Sequence, residues 1–340
     1  MERRRFVANG AAAVFGSAVL GPVSEFVIPF TCPEMRSSVG VDDVRRVRDL
    51  TAFARLQDSV HGYGSSADFL GRELPDIYRL LKADMADTVR GPLLTAVADA
   101  YMVAGGSRAN TGNVRAARAM FARALKLAKE ADNRSLMATA LLFHARVDGR
   151  EGNVNDGLKL AELADVAMPH GLPASDTAIH QAWLYAMLGI PDEATKYVNR
   201  ARDLYEKHHA DDRRLPPWLT SFNILGPAAL ISATFRELSV HEPAFLDRAV
   251  PAAMVAIPTS VQYRSRALIA TSRAAELNLR AGERTKGLKL AEDAVTTAEG
   301  LSVVGHHIKT VMRTDLTRML TACRDSTAAD LTRRIAVIAA

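Results

Sequence analysis

The sequence GLKLAE occurs twice in this chain, at residues 157–162 and again at residues 287–292. A related sequence, ALKLAK, occupies residues 124–129. Six identical residues rarely recur by chance within one chain, so a repeated structural unit is the first hypothesis. Leucine and alanine in this segment suit packing between helices, whereas its lysine and glutamate suit a solvated helix face.

The repeat has a defined spacing: a small residue, a medium or aromatic residue four positions later, and an alanine three positions after that. The sets are Ala117, Phe121 and Ala124; Gly157, Ala161 and Ala164; Ala194, Val198 and Ala201; Ala249, Ala253 and Ala256; and Gly287, Ala291 and Ala294. Small residues stand twelve positions before four of these sets, at Gly105, Ala145, Ala182 and Ala275. The pattern predicts helical hairpins of about 37–40 residues, whose two helices approach closely at these small side chains.

One interval between sets is longer than the others, because 55 residues separate Ala194 from Ala249. We interpret the excess as an insertion near residues 206–220, a charged stretch that reaches Pro216 and Pro217. Residues 41–340 then form one tetratricopeptide-like helical repeat domain. Because an open end of such an array exposes apolar surface, we expect a capping helix around residues 328–338. Residues 1–40 form a separate basic and apolar segment with an irregular connector.

The composition favours an all-α fold. Hydrophobic residues make up 48% of the chain and aromatic residues only 6%, which suits packed helices better than a sheet. The net charge of +5 comes from 43 basic and 38 acidic residues scattered along the chain, which indicates a solvated surface of mixed sign. Cys32 and Cys323 belong to no CxxC pattern, so reduced thiols are the expectation, with a disulfide between them left open.

The first 24 residues resemble a signal peptide of the twin-arginine type. Three arginines at positions 3–5 precede an uncharged stretch at positions 8–23, which contains the small residues Gly16 and Ala18 near a candidate cleavage position. The stretch is too short and too rich in glycine and alanine for a transmembrane helix. The alternative is the basic and apolar end of a linker in a cytosolic protein.

The spacing of the second helices resembles the tetratricopeptide repeat, and the resemblance is strongest at Gly105, Ala117, Phe121 and Ala124. The units are longer than that repeat, and most first helices lack its aromatic residues. The resemblance implies a right-handed helical-hairpin solenoid of degenerate tetratricopeptide-like repeats.

A second resemblance covers nearly the whole chain. The sequences VRRVRDL at 44–50, GYG at 62–64, and GN at 112–113 ahead of FARALKLA at 121–128 are similar to one class of actinobacterial regulators. In that class a Cro/repressor-type helix-turn-helix domain precedes a tetratricopeptide-like sensor half, and this chain resembles the sensor half. Residues 3–13 resemble the join between the two halves, which favours the cytosol over export.

The chain departs from these regulators in its first 40 residues, which contain no compact helix-turn-helix pattern. Direct DNA binding is therefore not expected of this chain. The resemblance instead implies a protein or peptide partner or a small-molecule signal, and it leaves a homodimer open.

The sequence contains no catalytic motif. HExxH and GxSxG are absent, and the glycine turns at 62–64 and 105–107 lack the lysine of a phosphate loop. The histidine pairs at 208–209 and 306–307 cannot chelate a metal by themselves, because adjacent side chains on a helix diverge by about 100°. We interpret these pairs as surface or capping residues, and we expect no enzyme, no metal site and no cofactor.

In a helical solenoid the first helices of the hairpins line the concave face, where aromatic, amide and charged side chains can bind a peptide or a small molecule. For each aromatic residue, packing between helices is the alternative. The candidates by position are Tyr101, His144, Trp183, Tyr185, Asn223, Gln262, Tyr263 and Arg266.

The sequence thus predicts a cytoplasmic, non-enzymatic regulatory or adaptor protein. It would bind a peptide, a small signal or a protein partner in the concave face, in transcriptional regulation. The alternative is an exported repeat scaffold with a twin-arginine-type signal at residues 1–24.

Overall fold

The computed structural model describes residues 38–210, 215–261 and 263–340. The signal-like segment at residues 1–24 and Gln262 lie outside these residues, as does the middle of the predicted insertion at 211–214. Of the described residues, 84% are helical.

The described part of the chain begins with a short parallel pairing of β1 (Ser38–Val39) with β2 (Asp84–Met85). The helices are α1 (Val41–His61), α2 (Ala67–Arg79), α3 (Asp87–Asn110), α4 (Val114–Glu130), α5 (Arg134–Arg150), α6 (Val154–Ala167), α7 (Gly171–Met187), α8 (Pro191–His208), α9 (Pro217–Leu225), α10 (Ala228–His241), α11 (Leu246–Ser260), α12 (Arg264–Arg280), α13 (Arg284–Glu299), α14 (His306–Thr310), α15 (Thr317–Cys323) and α16 (Ser326–Ala339). A π-helical segment, Val311–Leu316, joins α14 to α15.

The helices pack in consecutive antiparallel hairpins, which are α3 with α4, α5 with α6, α7 with α8, α10 with α11 and α12 with α13. The first helices of successive hairpins also contact one another, from α3 through α5, α7 and α10 to α12. This arrangement confirms the all-α prediction and is that of a helical solenoid.

Each of the predicted second-helix sets lies at a buried face, and their small residues mark where two helices approach. A Cβ atom added at Gly105 would lie 2.5 Å from the ring of Phe121, which fills the space that the glycine leaves. A Cβ atom at Gly157 would lie 2.9 Å from the carbonyl oxygen of Ala145. Lys159 and Glu162 of the same GLKLAE segment are exposed, as predicted.

The turn between α3 and α4 shows why the hairpins bend where they do. Gly112 has φ +81°, a left-handed conformation that glycine adopts without a steric penalty. Asn113 then caps α4 by accepting a hydrogen bond of 3.1 Å from the amide of Ala116. A glycine in the same conformation stands at Gly152 and Gly282, in the turns before α6 and α13.

The predicted insertion near residues 206–220 is partly helical. Helix α8 continues to His208, and α9 begins at Pro217, a residue type that is tolerated at the first position of a helix. Trp218 of α9 donates a hydrogen bond of 3.0 Å to the hydroxyl of Ser135 at the start of α5. The insertion therefore packs back onto the preceding hairpins.

The C-terminal helix covers the apolar end of the array, as predicted for residues 328–338. Helix α16 buries Ala328, Leu331 and Ile335 against the last helices of the array. Arg334 of this helix forms an ion pair of 2.7 Å with Glu292, so the glutamate of the second GLKLAE copy is not left to solvent alone.

The two ends of the array meet. The amide of Val303, before α14, donates a hydrogen bond of 2.9 Å to the carbonyl of His61, at the end of α1. The amide of Tyr63 donates a hydrogen bond of 3.1 Å to the hydroxyl of Ser265, at the start of α12. The solenoid therefore completes a turn, and we call the space that its first helices enclose the lumen.

No helix in the described ranges is both long enough and apolar enough to cross a membrane.

Replacing Phe121 with alanine tests the hairpin register. Because Phe121 is 1% exposed and fills the space beside Gly105, we expect Phe121→Ala to lower the free energy of unfolding by about 3–5 kcal/mol. Val166→Ala, at a second-helix residue that is 78% exposed, is the control and should change it by less than about 0.5 kcal/mol. Urea denaturation measures both, and equal effects would show that the register is wrong.

Replacing Gly62 with alanine tests the contact between the two ends. Gly62 has φ +111°, and an added Cβ atom would lie 1.7 Å from the carbonyl oxygen of Val303. Gly152→Ala is the matched control, because φ is +83° there and no atom lies within 4 Å of the added Cβ. We expect about 1–2 kcal/mol of destabilisation from backbone strain in the control and a larger loss in Gly62→Ala.

Hydrogen exchange at the Val303 amide separates the two effects. In Gly62→Ala this amide should lose its protection because the bond to His61 cannot form beside the new side chain. Retained protection in that variant would mean that the ends do not meet in this way.

Candidate functional site

Four arginines and a histidine converge in the lumen from helices that are distant in the chain. They are Arg146, Arg150, Arg266, Arg273 and His307, and we call them the basic cluster. Each arginine lowers the pKa of at least one other member, and three of the arginines lower that of His307, so the five residues lie near one another. All five side chains are half-buried, so water reaches them although protein surrounds them.

The helical array places these residues. Arg146 and Arg150 are one turn apart on α5 and share a face. Arg266 and Arg273 are two turns apart on α12, and His307 lies at the start of α14. Because α7 and α10 separate α5 from α12 in the array, these side chains meet only across the lumen.

Arg150 is at the centre of the cluster. Burial, the largest influence, and the positive charges of Arg146, Arg273 and Arg266 together lower its pKa to about 9, against a smaller opposing effect of the Tyr63 phenol. A pKa of about 9 still leaves the guanidinium charged at pH 7. Among the described residues, Arg150 donates no hydrogen bond and forms no ion pair.

The other arginines of the cluster have few partners. Arg146 lies 5.4 Å from the ring centroid of Phe143, and Arg273 donates one hydrogen bond of 3.0 Å to the carbonyl of Ala229. Burial also lowers the pKa of each of these two arginines, and a second arginine lowers it further.

Arg266 is held by tyrosine. Its Nε donates a hydrogen bond of 2.6 Å to the hydroxyl of Tyr63, and its guanidinium carbon lies 5.7 Å from the ring centroid of Tyr263. Burial raises the pKa of Tyr263. The same Tyr63 joins the two ends of the array, so closure of the turn and the geometry of the basic cluster depend on one residue.

The carboxylates that act on Arg146 and Arg273 also contact other side chains of the lumen. Asp176, which acts on Arg146, has its carboxylate 3.2 Å from Nδ1 of His180. Arg236 of α10 binds the remaining carboxylates, at 3.0 Å to Glu276, 2.9 Å to Glu237 and 2.8 Å to Asp315. Burial opposes the charge of Arg236, but these carboxylates outweigh it and hold its pKa above the usual arginine value.

Partly buried arginines elsewhere in the described ranges have carboxylate partners. The pairs are Arg55 with Asp99, Arg118 with Asp148, Arg200 with Asp165, Arg236 with Glu276, Arg280 with Glu276, and Arg334 with Glu292. Desolvating a charge without a partner is costly, so this pairing is the expected rule. Arg146, Arg150 and Arg273 depart from it, because none of them forms an ion pair with a carboxylate in the described ranges.

His307 is neutral at physiological pH. Burial lowers its pKa well below the usual histidine value, and the charges of Arg150, Arg273, Arg146 and His306 lower it further. The sequence-based interpretation of the pair at 306–307 as surface or capping residues therefore holds for the exposed His306 only. His307 faces the lumen, because the close turn of the chain at Gly305 packs against Tyr63.

Two of the eight candidate residues from the sequence, Tyr263 and Arg266, lie together at the basic cluster. Asn223 lies on α9, and its side chain, like the whole of Gln262, is outside the described part of the structure. Tyr101 makes an edge contact with Tyr78 at 6.2 Å, and Tyr185 stacks on Tyr197 at 5.4 Å.

The remaining two candidates also make helix-packing contacts. Trp183 is 8% exposed and packs over Gly149, where an added Cβ atom would lie 2.9 Å from its ring. His144 lies 3.7 Å from Asp148 and 6.2 Å from the ring of Phe121. Burial lowers the pKa of His144, although Asp148 opposes the shift.

Sequence reasoning missed Tyr63, Arg146, Arg150, Arg273 and His307. A local signal existed in the two arginines one turn apart at the end of α5, on the first helix of a hairpin. Arginine at a helix C-terminus is common on solvated faces because it complements the helix dipole, so this signal alone was ambiguous.

Two open grooves lie on the outer surface, away from the lumen. One lies along α8 and includes Lys196 and Arg200. The other, about 530 Å³ in volume, lies between α8, α10 and α11 and includes Tyr205 and Phe235. Neither includes a residue of the basic cluster. Within the described ranges, no group of three or more histidine, cysteine or acidic side chains is arranged to hold a metal ion.

No known family model matches the chain, and no curated protein matches it with significance.

Replacing Arg236 tests whether this arginine stabilises the carboxylates around it. Arg236→Gln leaves Glu276, which is 2% exposed, with one fewer cation, so we expect a loss of about 3–5 kcal/mol in the free energy of unfolding. Arg45→Gln removes an arginine from an exposed pair with Asp42 and should cost less than about 1 kcal/mol. Thermal and urea denaturation measure both changes. If Arg236→Gln leaves the free energy of unfolding unchanged, Arg236 does not stabilise the buried carboxylates.

The buried neutral His307 predicts a pH dependence. Unfolded His307 takes up a proton near pH 6.5, whereas the folded form, facing Arg150, Arg273 and Arg146, does so only at much lower pH. Stability from this group is therefore present above about pH 6.5 and is lost as the pH falls, by about 1 kcal/mol between pH 6.5 and 5.5. His307→Gln should remove that loss in urea titrations at the two pH values.

His306→Gln is the control, because it makes the same substitution at the neighbouring histidine, which is exposed. Identical pH dependence in the two variants would contradict the placement of His307 in the lumen.

Proposed function

We propose that this chain is a non-enzymatic regulatory protein of the tetratricopeptide-like class, which binds a ligand in the lumen of its solenoid. The observation that carries the proposal is the basic cluster. Its side chains come from α5, α12 and α14, and the charged Arg150 among them has no ion-pair partner in the described residues. An unpaired charge in such surroundings destabilises the free protein, and a ligand of opposite charge removes that cost.

The finer description of the fold belongs to this proposal. We take the array to be a right-handed solenoid of degenerate tetratricopeptide-like repeats, an assignment supported by the small residues at Gly105 and Ala117 and the buried Phe121. The segments at 44–50 and 121–128 support a relationship to the sensor half of actinobacterial regulators.

We place the protein in the cytoplasm, where it acts on transcription through a protein partner rather than by binding DNA itself. The resemblance of residues 3–13 to the join of such regulators supports this placement. The alternative, export by a twin-arginine-type signal at residues 1–24, has support in the three arginines before an uncharged stretch. Fractionation of cells that express the full chain with a C-terminal tag decides between them. An intact cytosolic form is expected, and a processed exported form would overturn the cytoplasmic proposal.

Hydrogen exchange tests whether the lumen binds the ligand. Pools of small anions and short peptides are added to the full chain, and protection is compared between α5 and α12, which bound the lumen, and α4, which lies on the outer layer. We expect a binding pool to protect α5 and α12 and to leave α4 unchanged. Protection confined to outer helices, or to the groove between α8 and α11, would overturn the proposal.

A further inference from the structure

We propose that the ligand of the basic cluster is a small molecule with a phosphoryl group, held by Arg146, Arg150 and Arg273 with His307 as a neutral hydrogen-bond donor. This inference rests on the proposed binding function of the lumen and names the chemical class of its ligand.

The site carries an excess of positive charge. Arg146, Arg273 and Arg266 repel Arg150, which has no carboxylate partner among the described residues. Asp176 attracts Arg146, and the carboxylates that Arg236 binds, including Glu276, attract Arg273. The carboxylates thus offset part of the positive charge of the lumen, and the surroundings of Arg150 stay positive. A ligand with two negative charges fits that imbalance better than a singly charged one.

The donor groups of the site come from several helices. Two guanidinium groups approach from α5 and one from α12, across the lumen, while His307 comes from α14. A carboxylate offers two oxygens in one plane, which suits a single arginine fork. A phosphoryl group offers three terminal oxygens pointing in different directions, which suits donors that arrive from several walls.

His307 contributes a hydrogen-bond donor without a charge. Because its pKa is well below the usual range, the ring is neutral at pH 7 and carries one N–H group. It can donate a hydrogen bond without adding a further positive charge to the cluster. Tyr63, whose hydroxyl accepts from Arg266 at 2.6 Å, keeps its own O–H available as another donor on the same side.

The surroundings of the cluster limit the size of its ligand. Burial is the largest influence on the pKa of Arg146, Arg150 and Arg273 alike, so protein surrounds the cluster closely. Their side chains are nevertheless half-buried rather than buried, so the lumen admits water and small solutes. A phosphorylated small molecule fits these limits, and a nucleic-acid duplex does not.

Isothermal titration calorimetry on the full chain tests the inference, in a buffer free of phosphate and citrate. The probes are inorganic phosphate, phenyl phosphate, succinate, acetate and peptides with blocked ends and no charge. The variants are Arg150→Gln, Arg150→Lys and Arg273→Gln. Arg115→Gln, on the outer surface of α4, is the matched control for loss of one arginine.

We expect phenyl phosphate to bind with one molecule per chain and more tightly than succinate or acetate. Loss of a charge-assisted hydrogen bond should weaken that binding about tenfold or more in Arg150→Gln and Arg273→Gln. Arg150→Lys should bind more weakly than the wild type because lysine keeps the charge but lacks the fork. Arg115→Gln should bind as the wild type does.

Thermal unfolding without ligand supplies a readout that does not depend on binding. Removing Arg150 relieves repulsion, so Arg150→Gln should unfold at a higher temperature than the wild type, whereas Arg115→Gln should not. A variant that binds less and yet is more stable cannot have lost binding through misfolding.

The outcomes separate the inference from the proposed function. Tighter binding of succinate than of phenyl phosphate would overturn the phosphoryl assignment and leave the lumen as a ligand site. Binding of blocked peptides alone, unaffected by Arg150→Gln, would overturn the anion site but not a concave binding face. If no probe binds and none protects α5 or α12 from exchange, both proposals are wrong.

Discussion

The close approach of two helices at a small residue is the interaction on which the rest of this structure depends. At the crossing of α3 and α4, Gly105 leaves room for the ring of Phe121, and at the crossing of α5 and α6, Gly157 lies against the backbone of Ala145. A larger side chain at either glycine would push the helices apart. Since the same arrangement recurs along the chain, small residues determine both the pairing of the helices and the curvature that brings the ends together.

Closure of the turn converts this packing into a site. Hydrogen bonds from Val303 to His61 and from Tyr63 to Ser265 join segments that are some 200 residues or more apart in the sequence. The first helices then face one another across the lumen. Side chains such as Arg150 and Arg273, which an open array would leave in water, are held near one another with little solvent to screen them.

The lumen therefore contains two different electrostatic environments. Around Arg236, three carboxylates surround one guanidinium, and each buried charge has a partner of opposite sign. Around Arg150 such a partner is missing, and the protein retains a destabilising group. Proteins commonly keep such groups where a ligand binds, because interactions that are unfavourable in the free state become favourable in the complex. This contrast within a single lumen is the physical basis of the functional proposals.

The sequence by itself determined the all-α class, the hairpin register and the helix that covers the C-terminal end. Each follows from spacing within one or two helices, as with Gly105, Phe121 and the apolar face of α16, and local spacing is visible in a sequence. The sequence also pointed to Tyr263 and Arg266. Only the tertiary structure decided that Arg146, Arg150, Arg273 and His307 belong with them, because their proximity arises from the curvature of the whole array. That curvature sums small rotations between many hairpins, and no single segment of the sequence contains it.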